Sequence, residues 1–164
     1  MVQLQQDVEQ FLYRNAEHCD RQRWDDYLAC FHPEASLHVP QWDSEHTLTT
    51  DPKREMSLIY YADRKGLEDR IFRLRTSRSA ASSPMPRTLH LVTNVRIDAA
   101  VADSDEFSVH AKWVTHYYRF ATAGVFFGEA DYRLQRVGND WQILAKRVVL
   151  LNDTINEVLD FYHV

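Results

Sequence analysis

The second half of the sequence contains three long segments, residues 107–120, 126–135 and 141–151, in which apolar and polar side chains alternate. A period of two places every second side chain on the same face of a β-strand, so each segment is predicted to be a strand with one buried and one solvated face. A turn sequence, Gly-Asn-Asp at 138–140, joins the last two segments and predicts an antiparallel meander. The residues expected on the buried face are Val109, Ala111, Trp113, Tyr117, Phe126, Gly128, Ala130, Tyr132, Leu134, Trp141, Ile143, Ala145 and Val149.

Helical periodicity dominates the start of the chain. Apolar residues recur at helical spacing in residues 4–16, which predicts an amphipathic helix. Asp20 is a candidate N-cap for a second helix, which Pro33 is expected to end. Alternation then predicts a short strand over residues 35–39. The two helices are expected to form a helical hairpin.

A third helix and two more strands are expected between these regions. The short apolar run at residues 56–61 favours a strand. Helical spacing predicts a short helix after Gly66, and alternation predicts a strand over residues 88–97. Helices followed by a curved antiparallel sheet indicate an α+β fold in which the helices cover one face of the sheet. The length indicates a single domain over residues 1–164.

Composition bears on the compartment and the redox state. No apolar run approaches the roughly 20 residues that a membrane-spanning helix needs. Residues 1–16 carry acids and amides where a signal peptide would be basic and then apolar, so the sequence predicts a cytoplasmic protein without a membrane partner. The two cysteines, Cys19 and Cys30, lack the spacing of a disulfide framework and are expected to be reduced and buried.

The sequence contains half of one metal-binding pattern. Cys30 and His32 form a Cys-x-His, whereas a Rieske cluster needs two cysteines and two histidines, and no cysteine follows Cys30. His110 and His116 share one face of a predicted strand, but six residues of strand separate them by ~20 Å, too far for one metal ion. We therefore expect this chain to hold no metal and no cofactor.

Other catalytic signatures are also missing. The four glycines form no phosphate-binding loop, and no Gly-x-Ser-x-Gly nucleophile motif occurs. An acid or base made of scattered side chains, with Asp131 or His90 as candidates inside a cavity, leaves no local signature and stays an open alternative. The sequence alone assigns no catalytic residue.

The stretch at residues 69–90 carries five arginines and one acid, in a chain of formal net charge −5. A nucleic-acid surface needs positive charge sustained over a whole face, so no nucleic-acid partner is expected. A solvated surface is the alternative. However, the chain has 15 arginines and four lysines, and arginine is favoured where a carboxylate is held at a protein interface. The stretch is therefore interpreted as a protein-contact surface.

Several sequence blocks, in order and across almost the whole chain, resemble the small (β) subunit of aromatic-ring-hydroxylating dioxygenases. The resemblance is greatest to the branch that contains benzoate, toluate and anthranilate 1,2-dioxygenases. The blocks are VEQFLYRNAEHCDRQRWDDYLACFHPEA, WDSEHTLTTDP, SLIYYADRKGLEDRIFRLRT, TNVRI and VVLLNDTINEVLDFYHV.

The resemblance implies a fold and an assembly. The fold would be a cone like that of nuclear transport factor 2 (NTF2) and scytalone dehydratase, with a curved antiparallel or mixed sheet wrapped around helices. The assembly would be an α3β3 hexamer, with homotrimer contacts, whose large subunit carries the Rieske 2Fe–2S cluster, the mononuclear Fe(II) and the substrate pocket. Such an enzyme adds both atoms of O2 to an aromatic acid and gives a cis-dihydrodiol, with NADH electrons delivered by a reductase.

The resemblance gives this chain a structural role, which agrees with the missing ligands. Rigid aromatic side chains and arginine forks are the groups that dominate protein interfaces. The residues predicted to contact other subunits are Trp42, Tyr60, Tyr61, Arg64, Arg70, Arg73, Arg75, Tyr162 and His163.

Two other functions remain possible for a cone of this kind. Stand-alone isomerases or dehydratases, and small-ligand-binding proteins, share the fold, and fold alone does not separate them. An open cavity lined by His, Asp and Tyr would favour an enzyme, and a deep apolar cavity without acid or base groups would favour a binding module. A cavity filled by apolar side chains would favour the structural role.

Overall fold

The computed structural model describes residues 2–76, 79–100 and 104–164, so Arg78 of the arginine-rich stretch lies outside the described residues. The helices are α1 (Val2–Asp20), α2 (Trp24–Ala29) and α3 (Arg64–Arg75), with short 3-10 turns at Ala80–Ser82 and Phe161–His163. The strands are β1 (Phe31–Pro40), β2 (Ser57–Tyr61), β3 (Arg87–Ala100), β4 (Glu106–Arg119), β5 (Thr122–Val137) and β6 (Asp140–Leu150).

The six strands form one sheet in the order β2-β1-β6-β5-β4-β3. Strands β3 to β6 are antiparallel neighbours in chain order, which confirms the predicted meander. Strand β1 pairs parallel with β6 and antiparallel with β2, so the sheet is mixed. Three helices and a mixed sheet confirm the predicted α+β class.

The core lies between α1 and the inward face of the sheet. On β4, Val109, Ala111 and Trp113 alternate with exposed or half-buried residues and are buried themselves. Helix α1 contributes Val8 and Phe11, which are one turn apart and fully buried. Burial of each large apolar side chain stabilises the fold by ~1.5–3 kcal/mol, so this contact fixes α1 against the sheet.

Helix α1 also covers the free edge of the sheet at β3. The Gln5 side-chain amide donates to the Val95 carbonyl oxygen at 2.7 Å. At the other end of α1, the Asp20 carboxylate accepts from the His90 backbone N–H and from the Thr88 hydroxyl, both at 2.9 Å. These bonds occupy edge groups that would otherwise be open to pairing with another strand.

The prediction for the second helix was wrong at both ends. Asp20 ends α1 rather than capping a new helix, because its carboxylate binds β3 instead of a local backbone N–H. Helix α2 runs only from Trp24 to Ala29, and Pro33 lies in β1. Pro33 is tolerated there because the ladder to β6 is irregular between Phe31 and Ser36.

Strand β6 departs from simple alternation. Leu134 faces Ile143 but Arg133 faces Ala145, so Leu144 is an extra residue in β6. After this bulge the inward positions are Lys146 and Val148, and the prediction that Ala145 shares the buried face is wrong. The bulge is what places a lysine inside the protein.

Candidate functional site

A small cavity lies between α1 and the inward face of the sheet. Its lining includes Leu12, Cys19, Trp113 and Tyr132. The cavity volume is about 20 Å³, about enough for one water molecule. Pockets for small-molecule ligands typically have about 300–1,000 Å³. Large side chains therefore fill the cone, and this cavity has no room for an aromatic substrate.

Lys146 is the charged residue of this cavity, and sequence reasoning missed it. Its ammonium group donates to the Val164 carbonyl oxygen at 3.0 Å and lies 5.9 Å from the centroid of the Tyr132 ring. Burial lowers the pKa of Lys146 to about 8, and the neighbouring Cys19 opposes that shift. The same burial raises the pKa of the Cys19 thiol to about 12, so Cys19 stays protonated and unreactive.

Asp20 and His90 form a nearly buried pair beside the cavity. The His90 Nδ1 and the Asp20 Oδ1 are 2.5 Å apart. Burial alone would raise the pKa of Asp20, but hydrogen bonds and charge from His90, with the Thr88 hydroxyl, outweigh it and lower the pKa. The His90 Nε2 is buried, and no hydrogen-bond partner for it exists among the residues that the structure describes.

Asp131, the other candidate acid or base, does not reach the cavity. Its side chain is about half exposed on the outer face of β5. One carboxylate oxygen lies 2.8 Å from the His110 Nδ1, and the other lies 3.4 Å from an Arg147 nitrogen. Of the two candidates, only His90 lines the interior cavity. The interior cavity beside His90 is thus too small for a substrate, whereas Asp20 and His90 also line an open groove of about 790 Å³ between α1 and β3.

The Cys-x-His sequence is not arranged as a metal site. The Cys30 thiol is buried and lies 3.4 Å from the Asp26 carbonyl oxygen. The His32 Nδ1 accepts a hydrogen bond from the Glu34 backbone N–H at 3.2 Å. Within residues 2–76, 79–100 and 104–164, no three His, Cys, Asp or Glu side chains come close enough together to hold a metal ion.

Arg70, one of the predicted contact residues, ties α3 to the end of the chain. Its Nε donates to the Asp160 carboxylate at 2.7 Å, and its Nη2 donates to Asp160 and to the hydroxyls of Ser79 and Ser82. The Ser82 hydroxyl also bonds the Tyr162 hydroxyl at 2.8 Å. The guanidinium of Arg70 is therefore used inside the chain.

Tyr162 and His163 also lie inside the chain. They are 2% and 1% exposed, so they have no surface to offer to another subunit in this conformation. The His163 ring packs edge-on against Tyr117 and Phe126. Burial, with the charges of His90 and Arg119, lowers the pKa of His163 to about 4. Local sequence pattern could not predict the burial of His163, because its cause is contact with the distant strands β4 and β5.

The other arginines of the predicted set keep some exposure. Arg64 donates to Glu68 at 2.8 Å and to the Phe31 carbonyl oxygen at 2.9 Å. Arg75 reaches Asp25 at 2.8 Å, and both side chains are largely exposed. Arg73 is exposed on α3. Arg73 and Arg75 thus present charge on the outer side of α3, whereas Arg64 is mostly buried against the start of β1.

The predicted aromatic contacts on β2 and after β1 are half-buried. The Trp42 indole N–H donates to the Leu150 carbonyl oxygen at 2.7 Å. Tyr60 stacks edge-on against His38, and the Tyr61 ring lies against Gly66, where a Cβ would come within 2.4 Å of it. Each of the three aromatic residues remains partly exposed.

Sequence reasoning missed Phe72, which is 63% exposed next to Arg73. A signal was available, because Phe72 lies off the apolar stripe of α3 that Leu67, Ile71 and Leu74 define. Phe72 and Arg73 are therefore both exposed on the side of α3 that faces away from the core. None of the helices that the structure describes is long and apolar enough to span a membrane.

These features define a class of protein: an α+β cone whose sheet wraps its helices and whose interior is filled by side chains. The same fold occurs in a protein named as a scytalone dehydratase from Novosphingobium aromaticivorans. That likeness has a TM-score of 0.66 over 95% of this chain and 91% of the other, at 12% identity, and concerns the fold alone.

The sequence matches the family described as "Ring hydroxylating beta subunit" over residues 14–157, and the chain belongs to this family. It is 42% identical to the benzoate 1,2-dioxygenase subunit beta of Acinetobacter baylyi, over 96% of this chain and 92% of the relative. It is 45% identical to the 2-halobenzoate 1,2-dioxygenase small subunit of Burkholderia cepacia, over 96% of this chain and 94% of the relative. These matches confirm the resemblance: the chain is a small subunit of an aromatic-ring dioxygenase.

A solved structure supports the same assignment. The β subunit of the benzoate 1,2-dioxygenase from Burkholderia mallei is 37% identical, with a TM-score of 0.79 over 96% of this chain and 95% of that chain. A chain of naphthalene 1,2-dioxygenase has the same TM-score at 18% identity, covering 99% of this chain and 86% of its own length, so the fold extends to more distant dioxygenases.

Proposed function

We propose that this chain is the structural, non-catalytic β subunit of a benzoate 1,2-dioxygenase-like enzyme in the cytoplasm. One observation carries the proposal: the interior cavity of the cone is about 20 Å³, too small for an aromatic acid. The identity of more than 40% to small subunits of benzoate-type dioxygenases supports the substrate class. In this proposal the chain forms one domain over residues 1–164. Its role is to hold the catalytic subunits in position.

The residues of this chain do not fit a Rieske cluster or a mononuclear iron. Cys30 is buried against the Asp26 carbonyl, His32 accepts a backbone hydrogen bond, and no Cys or His pair completes the set among the described residues. We propose that a large α subunit binds the Rieske 2Fe–2S cluster and the mononuclear Fe(II). NADH electrons would reach it through a reductase.

In the proposed holoenzyme the reaction consumes one aromatic carboxylic acid, one O2, two electrons from NADH and two protons, and gives a cis-dihydrodiol. All of these steps would occur in the large subunit. The contribution of this chain is a rigid surface, because the Arg70 to Asp160 ion pair and the buried Tyr162 and His163 fix α3 and the end of the chain. Contact with other subunits would use the outer side of α3 and the half-buried Trp42, Tyr60 and Tyr61.

The arrangement of three α and three β subunits is part of the proposal. A subunit without a substrate site is useful when it holds catalytic subunits at a fixed spacing, and a closed ring of three copies does so with one repeated contact. The exposed Phe72 and Arg73 on α3 have the composition of an interface.

The test is to purify the chain alone and together with its large subunit, and to measure mass, iron content and, with the reductase and NADH added to both preparations, oxygen uptake with benzoate. The chain alone should bind no stoichiometric iron and consume no oxygen. The combined preparation should contain both subunits in equal amounts, bind iron and consume oxygen. Stoichiometric iron or turnover in the chain alone would contradict the structural role.

A second candidate, a stand-alone isomerase or dehydratase, has one observation in its favour. The Asp20 to His90 pair lies beside the cavity and leaves the His90 Nε2 without a partner among the described residues, as a general base would require. The interior cavity is too small for such a substrate, so this candidate would have to use the open groove of about 790 Å³ that Asp20 and His90 also line. Turnover of a small hydroxylated or carbonyl compound by the isolated chain, lost in His90→Gln, would support this candidate.

A further inference from the structure

The turn between β4 and β5 has an unusual composition for its geometry. Arg119 pairs with Thr122, so the loop contains only Phe120 and Ala121, and both have positive φ, 51° and 57°. Two-residue turns with both φ positive strongly favour Asn-Gly, since bulky L-residues are strained in this conformation. A phenylalanine at the first position therefore costs free energy.

The strain at Phe120 is not offset by burial in this chain. Its side chain is 68% exposed at the tip of the hairpin, and the Arg119 guanidinium lies 4.6 Å from the centroid of its ring. Next to it, Tyr118 is 41% exposed with the Arg87 guanidinium 4.6 Å from its ring centroid. We call Arg87, Tyr118, Arg119 and Phe120 the hairpin knob.

The charges of the hairpin knob lack counterions in this chain. Neither Arg87 nor Arg119 forms an ion pair within the described ranges, whereas Arg70 and Arg75 do. Arg119 donates to the Ala80 carbonyl oxygen at 3.1 Å, and its Nε is buried without a partner among the same residues. Exposed aromatic rings stacked with unpaired guanidinium groups form the composition of an interface hot spot.

A cleft elsewhere on the surface has the complementary composition. Its floor consists of Trp42, held by the Leu150 carbonyl oxygen, and Leu151, which is 47% exposed. The cleft has a volume of about 420 Å³. The carboxylates that line it belong to Asp43, Glu45 and Asp153, none of which forms an ion pair in the described parts of the chain.

The knob and the cleft of one chain cannot meet each other. The Leu151 backbone N–H donates to the Phe127 carbonyl oxygen at 2.9 Å, so the cleft lies beside Phe127. Phe120 is seven residues earlier on the same hairpin, and a β-strand of that length spans ~20 Å. A partner for the knob must therefore come from another chain.

We infer that the hairpin knob of one copy of this chain docks in the Trp42–Leu151 cleft of a second copy. The aromatic rings would meet the apolar floor, and the guanidinium groups of Arg87 and Arg119 would meet the carboxylates of the cleft. Because two different surfaces meet, the contact is heterologous, and three such contacts can close a ring. The inference rests on the proposed function, because it specifies how the β subunits of the hexamer touch.

The first test is the substitution Phe120→Asn. It removes the aromatic ring, and asparagine tolerates the positive φ at this position. The matched control is Val137→Asn, an exposed apolar residue beside the turn at the other end of β5. In complexes copurified with the large subunit, analytical ultracentrifugation should show a several-fold loss of hexamer and a gain of one-to-one pairs for Phe120→Asn only. The isolated Phe120→Asn chain should melt no lower than the wild type. An unchanged hexamer would overturn the inference.

The second test is a charge reversal. Arg87→Glu alone, and Asp43→Arg with Asp153→Arg, should each reduce the hexamer several-fold, and all three changes together should restore it. Failure to restore, with melting temperatures unchanged, would overturn the pairing of knob and cleft. Iron content and oxygen uptake report on the proposed function separately. If no complex with the large subunit forms, the same variants of the chain alone still report on contacts between its copies.

Discussion

Arg70 and Asp160 form a buried ion pair in which Nε and Nη2 of the arginine both reach the same carboxylate oxygen. The other Asp160 oxygen accepts from the Phe161 backbone N–H at 2.9 Å and caps the last turn of the chain. One carboxylate therefore fixes two elements, α3 and the turn Phe161–His163. The bond between them is internal to the subunit although Arg70 belongs to the arginine-rich stretch.

Arg70→Ala should destabilise the subunit by about 3 kcal/mol, because it leaves the Asp160 carboxylate buried without its partner. Arg75→Ala is the matched control: its ion pair with Asp25 is exposed, and its loss should cost less than about 1 kcal/mol. Urea unfolding of the two variants measures the difference. Equal costs would show that the buried pair does not stabilise the fold.

Replacing both Arg73→Ala and Arg75→Ala should shift the enzyme towards smaller assemblies while the subunit stays folded. Their guanidinium groups lie on the outer side of α3, where they can bind carboxylates of a neighbouring subunit. Native mass spectrometry of the copurified complex is the measurement. The control is the double variant Arg21→Ala with Arg54→Ala, which removes two exposed arginines outside α3. If the Arg73→Ala, Arg75→Ala complex keeps the wild-type mass, α3 is not part of the interface.

The stability of the subunit should fall as the pH is lowered from 6.5 to about 4, because His163 has a pKa of about 4 in the folded chain and 6.5 when unfolded. In this window the unfolded chain binds a proton that the folded chain excludes, which costs up to about 3 kcal/mol. His163→Gln should flatten this part of the pH profile, measured by urea midpoints. The control is His46→Gln at an exposed position, which should leave the pH dependence of stability unchanged. If His163→Gln keeps the wild-type pH dependence, other groups cause it.

Lys146→Met should leave the fold as stable or make it more stable, by about 1–3 kcal/mol at pH 7, since a buried charge is removed at the loss of one hydrogen bond. The pKa of Lys146 is about 8 in the folded chain against 10.5 when unfolded, so wild-type stability should rise from pH 8 to 9.5 as the folded chain loses its proton first. The rise should be absent in the variant. A strongly destabilised Lys146→Met would mean that the bond to Val164 outweighs the burial of charge.

The parts of the fold that the sequence predicted depend on local periodicity. Strands β4 and β5 are long enough for alternation to identify both strand and face, and α1 has a regular apolar stripe. The predictions for Asp20 and Pro33 were wrong because both residues respond to strands that are distant in sequence. Asp20 binds β3, and Pro33 lies where the ladder between β1 and β6 is irregular. Lys146 was missed because one extra residue, Leu144, exchanges the two faces of β6.

The site was predicted less completely than the fold for the same reason. Arg73 and Arg75 are exposed at a helix end, as the composition suggested, whereas Tyr162 and His163 are buried by strands that precede them by dozens of residues. Phe120 was assigned to the end of a strand, and only its backbone angle distinguishes it. Residue type indicates what can form a contact, and the folded chain decides which residues are available.

The parallel pairing of β1 with β6 has a consequence for synthesis. Ser36 meets Ala145, so two neighbouring strands of the sheet are separated by most of the other strands in chain order. While the ribosome is still making the meander, β1 and β2 have no third strand beside them, because the next neighbour of β1 is β6. Folding must wait for these non-local contacts, which slows it and leaves apolar surface exposed until β6 has been made.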